Sequence, residues 1–111
     1  VNMAVYWISF RIESNSTYEA RLGALNVAIK KCGAAWAETT SFFLVSTDLG
    51  IASVAAACDR ALDPRSDVVI IGEIEIGSEA LTVGRVEQMP LAFIPGVRVY
   101  QRGVALQSLI T

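Results

Sequence analysis

An abrupt change in the spacing of apolar residues, between segments 4–12 and 17–32, constrains the fold most strongly. Residues 17–32 repeat at helical spacing, with Ser16 and Glu19 forming a capping-box pattern and Gly33 as the stop. Segment 4–12 has the period of a β-strand, because every second side chain is large and apolar: Tyr6, Ile8, Phe10 and Ile12. A strand followed directly by a helix predicts a domain in which the helix packs on a sheet.

Two further strand-like segments and a second helix continue this order. Residues 35–46 are rich in aromatic and β-branched side chains, which predicts a bent strand or a hairpin. Residues 49–62 carry apolar side chains at helical spacing and predict the second helix. Residues 67–76 begin as a continuous apolar run and then alternate, which predicts a central strand whose end emerges into solvent.

After residue 76 the pattern weakens to short strand-like segments. Residues 80–83 predict a short antiparallel strand. Residues 91–94 and 97–100 lie on either side of a turn signal, and they predict a hairpin. Pro90 and Pro95 exclude these segments from the middle of a sheet.

The order of these elements predicts the fold class. It is an α+β domain with a ferredoxin-like β-α-β-β-α-β sandwich and additional C-terminal strands. The fourth core strand comes either from residues 35–46 or from the C-terminal region. We predict a single ferredoxin-like domain over 1–111, with its core at about 4–76 and a C-terminal strand extension at 77–111.

A high apolar fraction indicates that another molecule covers part of the surface. Apolar residues make up 53% of the chain and charged residues 18%, which leaves few polar side chains to cover a monomer. Large exposed apolar surfaces usually form interfaces, so we predict a homodimer. The interface is expected in the C-terminal strands, at Leu91, Phe93, Ile94, Val97 and Val99.

The overall charge gives no general attraction to nucleic acid, since the net charge is −2 and the pI is near 5.0. Nucleic acid remains a candidate partner only through a local basic face. The candidate residues for binding nucleic acid or phosphate are Arg11, Arg21, Lys30 and Lys31.

Leader-like and membrane-spanning patterns are missing from the sequence. The first residues show no basic start followed by a long apolar run, and no apolar stretch reaches the length of a bilayer span. We therefore expect a cytoplasmic location, no membrane partner, and reduced thiols at Cys32 and Cys58.

The chemistry open to this chain is narrow because it contains no histidine. The commonest general base and metal ligand is therefore missing, and two separated cysteines cannot complete a zinc site. Carboxylates remain: Glu73 and Glu75 share one face of a predicted strand, and Glu13 or Glu38 could complete a site for magnesium or manganese. The catalytic candidates are Glu38, Glu73 and Glu75. The alternative is a solvated strand edge, and otherwise no metal or cofactor is expected.

Aromatic residues of the predicted strands offer a second kind of site. If they project from an open sheet face, they could stack on the bases of RNA, whereas the ordinary role of such residues is packing. These residues are Tyr6, Trp7, Trp36 and Tyr100.

Two segments carry a resemblance to a known family. Residues 5–10, VYWISF, and residues 36–44, WAETTSFFL, resemble the small proteins described as SinR-like. These are similar to the ferredoxin-fold CRISPR-associated subunit of the spacer-acquisition complex and to VapD ribonucleases. The resemblance covers about residues 4–76 and implies a ferredoxin-like homodimer in which C-terminal strands pack on the partner's sheet.

The resemblance also identifies a missing catalytic group. Catalytic members of the wider family carry an aspartate at the end of the first strand, where it holds a metal. Trp7 or Ser9 occupies that position here, and neither replaces a carboxylate as a magnesium ligand. The first hypothesis is therefore a non-catalytic or weakly catalytic homodimer, with nucleic acid as a candidate partner. The alternatives are a regulatory module that binds a small molecule or protein at the dimer interface, and a carboxylate/metal-dependent ribonuclease.

Overall fold

The first unit of the chain contains a four-stranded sheet and two helices. The computed structural model describes residues 2–75 and 77–101, and the chain divides into two compact units after Glu75. The elements of the first unit are β1 Ala4–Arg11, α1 Tyr18–Cys32, β2 Ala34–Trp36, β3 Phe42–Thr47, α2 Ile51–Ala61 and β4 Val68–Glu73. The predicted α+β class is confirmed.

The sheet has the strand order β2-β3-β1-β4, and every neighbouring pair is antiparallel. Residues 35–46 therefore belong to a hairpin that supplies two core strands. The prediction that residues 67–76 form a central strand was wrong, because β4 is an edge strand that pairs only with β1 among the described residues. A continuous apolar run is typical of burial on both faces, yet Val68 and Ile70 of this run are exposed.

Both helices pack on one face of the sheet and bury the core there. Leu25 and Ile29 of α1 meet Val54 and Cys58 of α2 above that face. The sheet contributes buried side chains from its two central strands and the residue that follows β1: Tyr6, Ile8, Ile12, Phe43 and Val45. The apolar faces of the two helices and of the sheet thus form one buried layer.

The start of α1 differs from its predicted capping box. Thr17 occupies the N-cap, and its side chain makes no capping hydrogen bond to the helix. Asn15 holds Thr17 in place at the start of the helix. Its Oδ1 accepts hydrogen bonds from the N–H and the hydroxyl of Thr17, both at 3.1 Å. Ser16 is therefore not the cap.

The second unit contains two short strands, β5 Ala80–Thr82 and β6 Val97–Val99. They pair in parallel, so the predicted antiparallel strand and hairpin were wrong. Residues 91–94 form a turn in which the N–H groups of Phe93 and Ile94 donate to the carbonyl of Pro90. Those N–H groups are consequently unavailable to a hairpin ladder.

Neither helix in the described part of the chain combines the length and apolar character that crossing a bilayer requires.

Candidate functional site

Arg21, a predicted phosphate ligand, is committed to an ion pair inside the first unit. Its Nη1 lies 2.5 Å from both carboxylate oxygens of Asp67. Its Nη2 donates to Asn15 Oδ1 at 2.6 Å and to the Glu13 carbonyl at 3.0 Å, and its Nε donates to Thr17 Oγ1 at 3.0 Å. These contacts favour a structural role for Arg21 over phosphate binding.

Asp67 is the acceptor at the centre of this network. Its side chain is 0% exposed, and it accepts hydrogen bonds from the backbone N–H groups of Glu13 and Asp63. The hydrogen bond from Arg21 is the main reason that the pKa of Asp67 lies well below its usual range. The pair therefore joins the loop that precedes α1 to the loop that precedes β4.

The other basic candidates do not gather around Arg21. Arg11 is exposed at the end of β1, opposite Val68 of β4. Lys30 and Lys31 lie in the last turn of α1, whereas Arg21 lies near its start. The helix length separates these positions, so the four predicted cations do not form one basic patch.

Of the three carboxylate candidates, Glu73 and Glu75 lie at one end of the sheet and Glu38 lies at the other end. Glu73 is paired with Tyr6 at the end of β4, and Glu75 follows the strand. Glu38 lies in the loop between β2 and β3, which meets the other end of β1 through the hydrogen bond from Phe10 N–H to the Ser41 carbonyl.

Glu13 is also remote from Glu73, because its N–H bonds to Asp67 at the far end of β4, about 20 Å along the strand. Within 2–75 and 77–101, no three side chains among Asp, Glu, Cys and His are placed to hold a metal ion together. The geometry therefore does not assemble the predicted magnesium or manganese site in the described residues.

The sheet face opposite the helices, here called the outer face, carries both tryptophans. The register aligns Trp36 of β2, Leu44 of β3, Trp7 of β1 and Gly72 of β4 in one row across the strands. Gly72 leaves room for the Trp7 indole, because a Cβ at this glycine would overlap the ring. Trp7 and Trp36 thus lie half-buried on the outer face, while Tyr6 is buried in the core.

One corner of the outer face is exposed and apolar. Val68 is 42% exposed and Ile70 is 56% exposed, and together with Ser9 and Arg11 they line a shallow depression of about 160 Å³. We call these four residues the edge patch. No described strand pairs with the outward side of β4, and its sequence VVIIGE contains neither proline nor lysine. The stretch of β4 that carries Val68 and Ile70 therefore lacks these protections, and the one charged side chain of the strand, Glu73, lies at its end.

The predicted interface residues of the second unit differ in accessibility. Leu91 and Val99 are exposed, Phe93 and Ile94 are half-buried, and Val97 is only 6% exposed. Val97 is therefore already covered within a single chain.

The two cysteines are free thiols with little nucleophilic character. Burial and, to a smaller extent, the neighbouring Cys32 raise the pKa of Cys58 to about 11. Burial also raises the pKa of Cys32, although the Arg60 charge opposes this shift. Both groups are therefore protonated at neutral pH, which disfavours thiolate catalysis.

Sequence reasoning missed the edge patch, although the signal was present. Alternate positions of the run VVIIGE are apolar on both faces, but only Val69 and Ile71 pack against the core.

No known protein-family model matches this chain, and no curated protein shows significant similarity to it.

Proposed function

We propose that the chain is a non-catalytic or weakly catalytic homodimeric protein with a ferredoxin-like sandwich, as its resemblance to SinR-like proteins implies. The element order β-α-β-β-α-β supports this topology, as does a sheet in which β1 and β3 are central. The separation of Glu38 from Glu73 across the sheet supports the non-catalytic assignment.

The observation that carries the homodimer is the unprotected edge patch. A strand from a second copy would satisfy the outward N–H and C=O groups of β4 and would cover Val68 and Ile70. A second copy fits better than nucleic acid, because the patch pairs two exposed aliphatic side chains with a single cation, Arg11, and the net charge of −2 does not attract phosphates.

The C-terminal segment is the proposed source of the covering strand. Leu91 and Val99 present exposed apolar side chains, and the resemblance implies that this region packs on the partner's sheet. A two-fold arrangement would use the contact twice, once in each direction.

We expect the unaltered chain to be a dimer at micromolar concentration in light scattering, and Ile70→Lys to raise the dimer dissociation constant roughly thirtyfold or more. A lysine would bring an unpaired charge into an apolar contact. Val27→Lys is the matched control, since Val27 is comparably exposed on α1, away from β4. Leu91→Lys tests the C-terminal half of the contact. A monomeric wild type, or an Ile70→Lys variant that remains fully dimeric, would refute this interface.

We expect no cleavage of RNA or DNA that depends on magnesium or manganese, because Glu13 and Glu38 lie far from Glu73 and Glu75 and do not complete a metal site with them. Incubation with each nucleic acid, with metal or with EDTA, measures this directly. EDTA-sensitive cleavage that disappears in Glu73→Gln would overturn the non-catalytic proposal and support the ribonuclease alternative. Retardation of RNA at low salt that Arg11→Ala abolishes would instead add nucleic acid as a partner.

A further inference from the structure

A groove of about 660 Å³ lies between α1 and α2. Its walls are made largely of small side chains from both helices: Gly23, Ala24 and Ala28 of α1, and Ser53, Ala57 and Ala61 of α2. Val27 and Leu49 add larger apolar surface, and both are exposed. The groove volume falls within the range of about 300–1,000 Å³ that is typical of small-molecule sites.

The charged residues that line this groove are all basic. Lys31 and Arg60 line it, and none of its lining residues is acidic. No ion pair within 2–75 and 77–101 joins either cation to an acidic side chain. Arg60 also lowers the pKa of Cys32 against the effect of burial, so its charge acts on a thiol in the groove wall. The groove is therefore locally cationic in a molecule whose net charge is −2.

We propose that the groove between α1 and α2 binds an anionic amphiphile with one medium-length apolar chain and a carboxylate or phosphate head group. The small side chains leave space for the apolar chain. Lys31 lies in the last turn of α1 and Arg60 in the last turn of the antiparallel α2, so the cations lie toward opposite ends of the groove. Either cation can pair with the head group while the chain extends along the small side chains. An acyl chain fits this combination because it needs apolar surface along its length and one cation at its head group. The site is separate from the edge patch and does not depend on the dimer.

Titration of the full chain with monomeric sodium dodecanoate tests this site by calorimetry and by nuclear magnetic resonance of backbone amides. We expect saturable binding, with the largest shifts in α1 and α2. Dodecyltrimethylammonium has the same apolar chain and the opposite charge, and it should bind at least roughly tenfold more weakly. Replacement of both cations, Lys31→Gln with Arg60→Gln, should weaken dodecanoate binding by a similar factor.

Ala57→Leu should block the groove and abolish most of the binding, because leucine fills the groove and retains high helix propensity. Ala56→Leu is the matched control, since Ala56 is exposed on the same helix and does not line the groove. Amide spectra of both variants establish that they are folded. The proposal is overturned if dodecanoate does not saturate, if the cationic amphiphile binds equally well, or if Ala57→Leu binds like Ala56→Leu. Concentration-dependent shifts of the same amides without ligand would place a second copy in the groove and would also overturn it.

Discussion

Asp67→Asn should lower the free energy of unfolding by about 3 kcal/mol at pH 7, because it leaves the Arg21 charge without its carboxylate partner. The Arg21 side chain is only 12% exposed and Asp67 is 0% exposed, so solvent cannot replace the lost contact easily. The substitution keeps the size of the side chain and removes its charge. Urea unfolding followed by circular dichroism measures the change.

Acid pH provides a second test of the same pair. The pKa of Asp67 is lowered in the folded state, so its contribution is complete above the ordinary aspartate pKa of about 3.9 and is lost as the pH falls below it. The stability difference between wild type and Asp67→Asn should therefore shrink at acid pH. Arg65→Ala, which removes the exposed pair with Asp63, should leave stability nearly unchanged. Equal effects of Asp67→Asn and Arg65→Ala at pH 7 would contradict the structural role of Asp67.

The local elements of the first unit could be predicted from sequence because their apolar periods are clear. The predicted helix over 17–32 differs by one residue from Tyr18–Cys32, and the alternation of residues 4–12 corresponds to β1. Local periodicity could not decide whether residues 35–46 bend or turn back. Phe42 to Val45 are apolar on both faces, which hides the alternation that marks a strand boundary.

Strand position and pairing depend on contacts that the sequence pattern does not report. The apolar run of β4 has the same composition whether its second face is covered or exposed, so composition alone does not distinguish this edge strand from a central one. Parallel pairing of Ala80 with Val97 joins segments separated by a long loop, and no local signal favours it over a hairpin.

The surroundings of the candidate site residues also depend on contacts between segments far apart in sequence. Sequence alone presents Arg21 as a cation on a helix, whereas its partner Asp67 lies 46 positions away along the chain. The edge patch was partly foreseeable, since the high apolar fraction predicted exposed apolar surface without giving its location. The predicted carboxylate site combined Glu73 and Glu75, which are close in sequence, with Glu38. In the structure Glu38 lies in a loop at one end of β1, whereas Glu73 lies at the other end.

Gly33→Ala should destabilise the fold by about 3 kcal/mol, because the new Cβ would overlap the backbone carbonyl of Ser46 in β3. The φ of Gly33 is 167°, which is extended backbone that alanine also adopts, so the cost is steric. Relief would require α1 or β3 to shift, since the obstructing atom belongs to the backbone. Ser46 pairs with Ala34, so such a shift would also disturb the β2–β3 ladder.

The matched control for this substitution is Gly23→Ala, in the interior of α1. A Cβ at Gly23 meets no atom within 4 Å beyond its chain neighbours and its own helix backbone, and alanine has the higher helix propensity, so stability should rise by about 0.5–1 kcal/mol. The two variants make the same chemical change and should shift the urea midpoint in opposite directions. If Gly33→Ala unfolded at the wild-type midpoint, close approach of the α1 C-terminus to β3 would not be a constraint on the fold. Opposite shifts are the expected result, because a Cβ at position 33 meets the Ser46 carbonyl whereas a Cβ at position 23 meets open space.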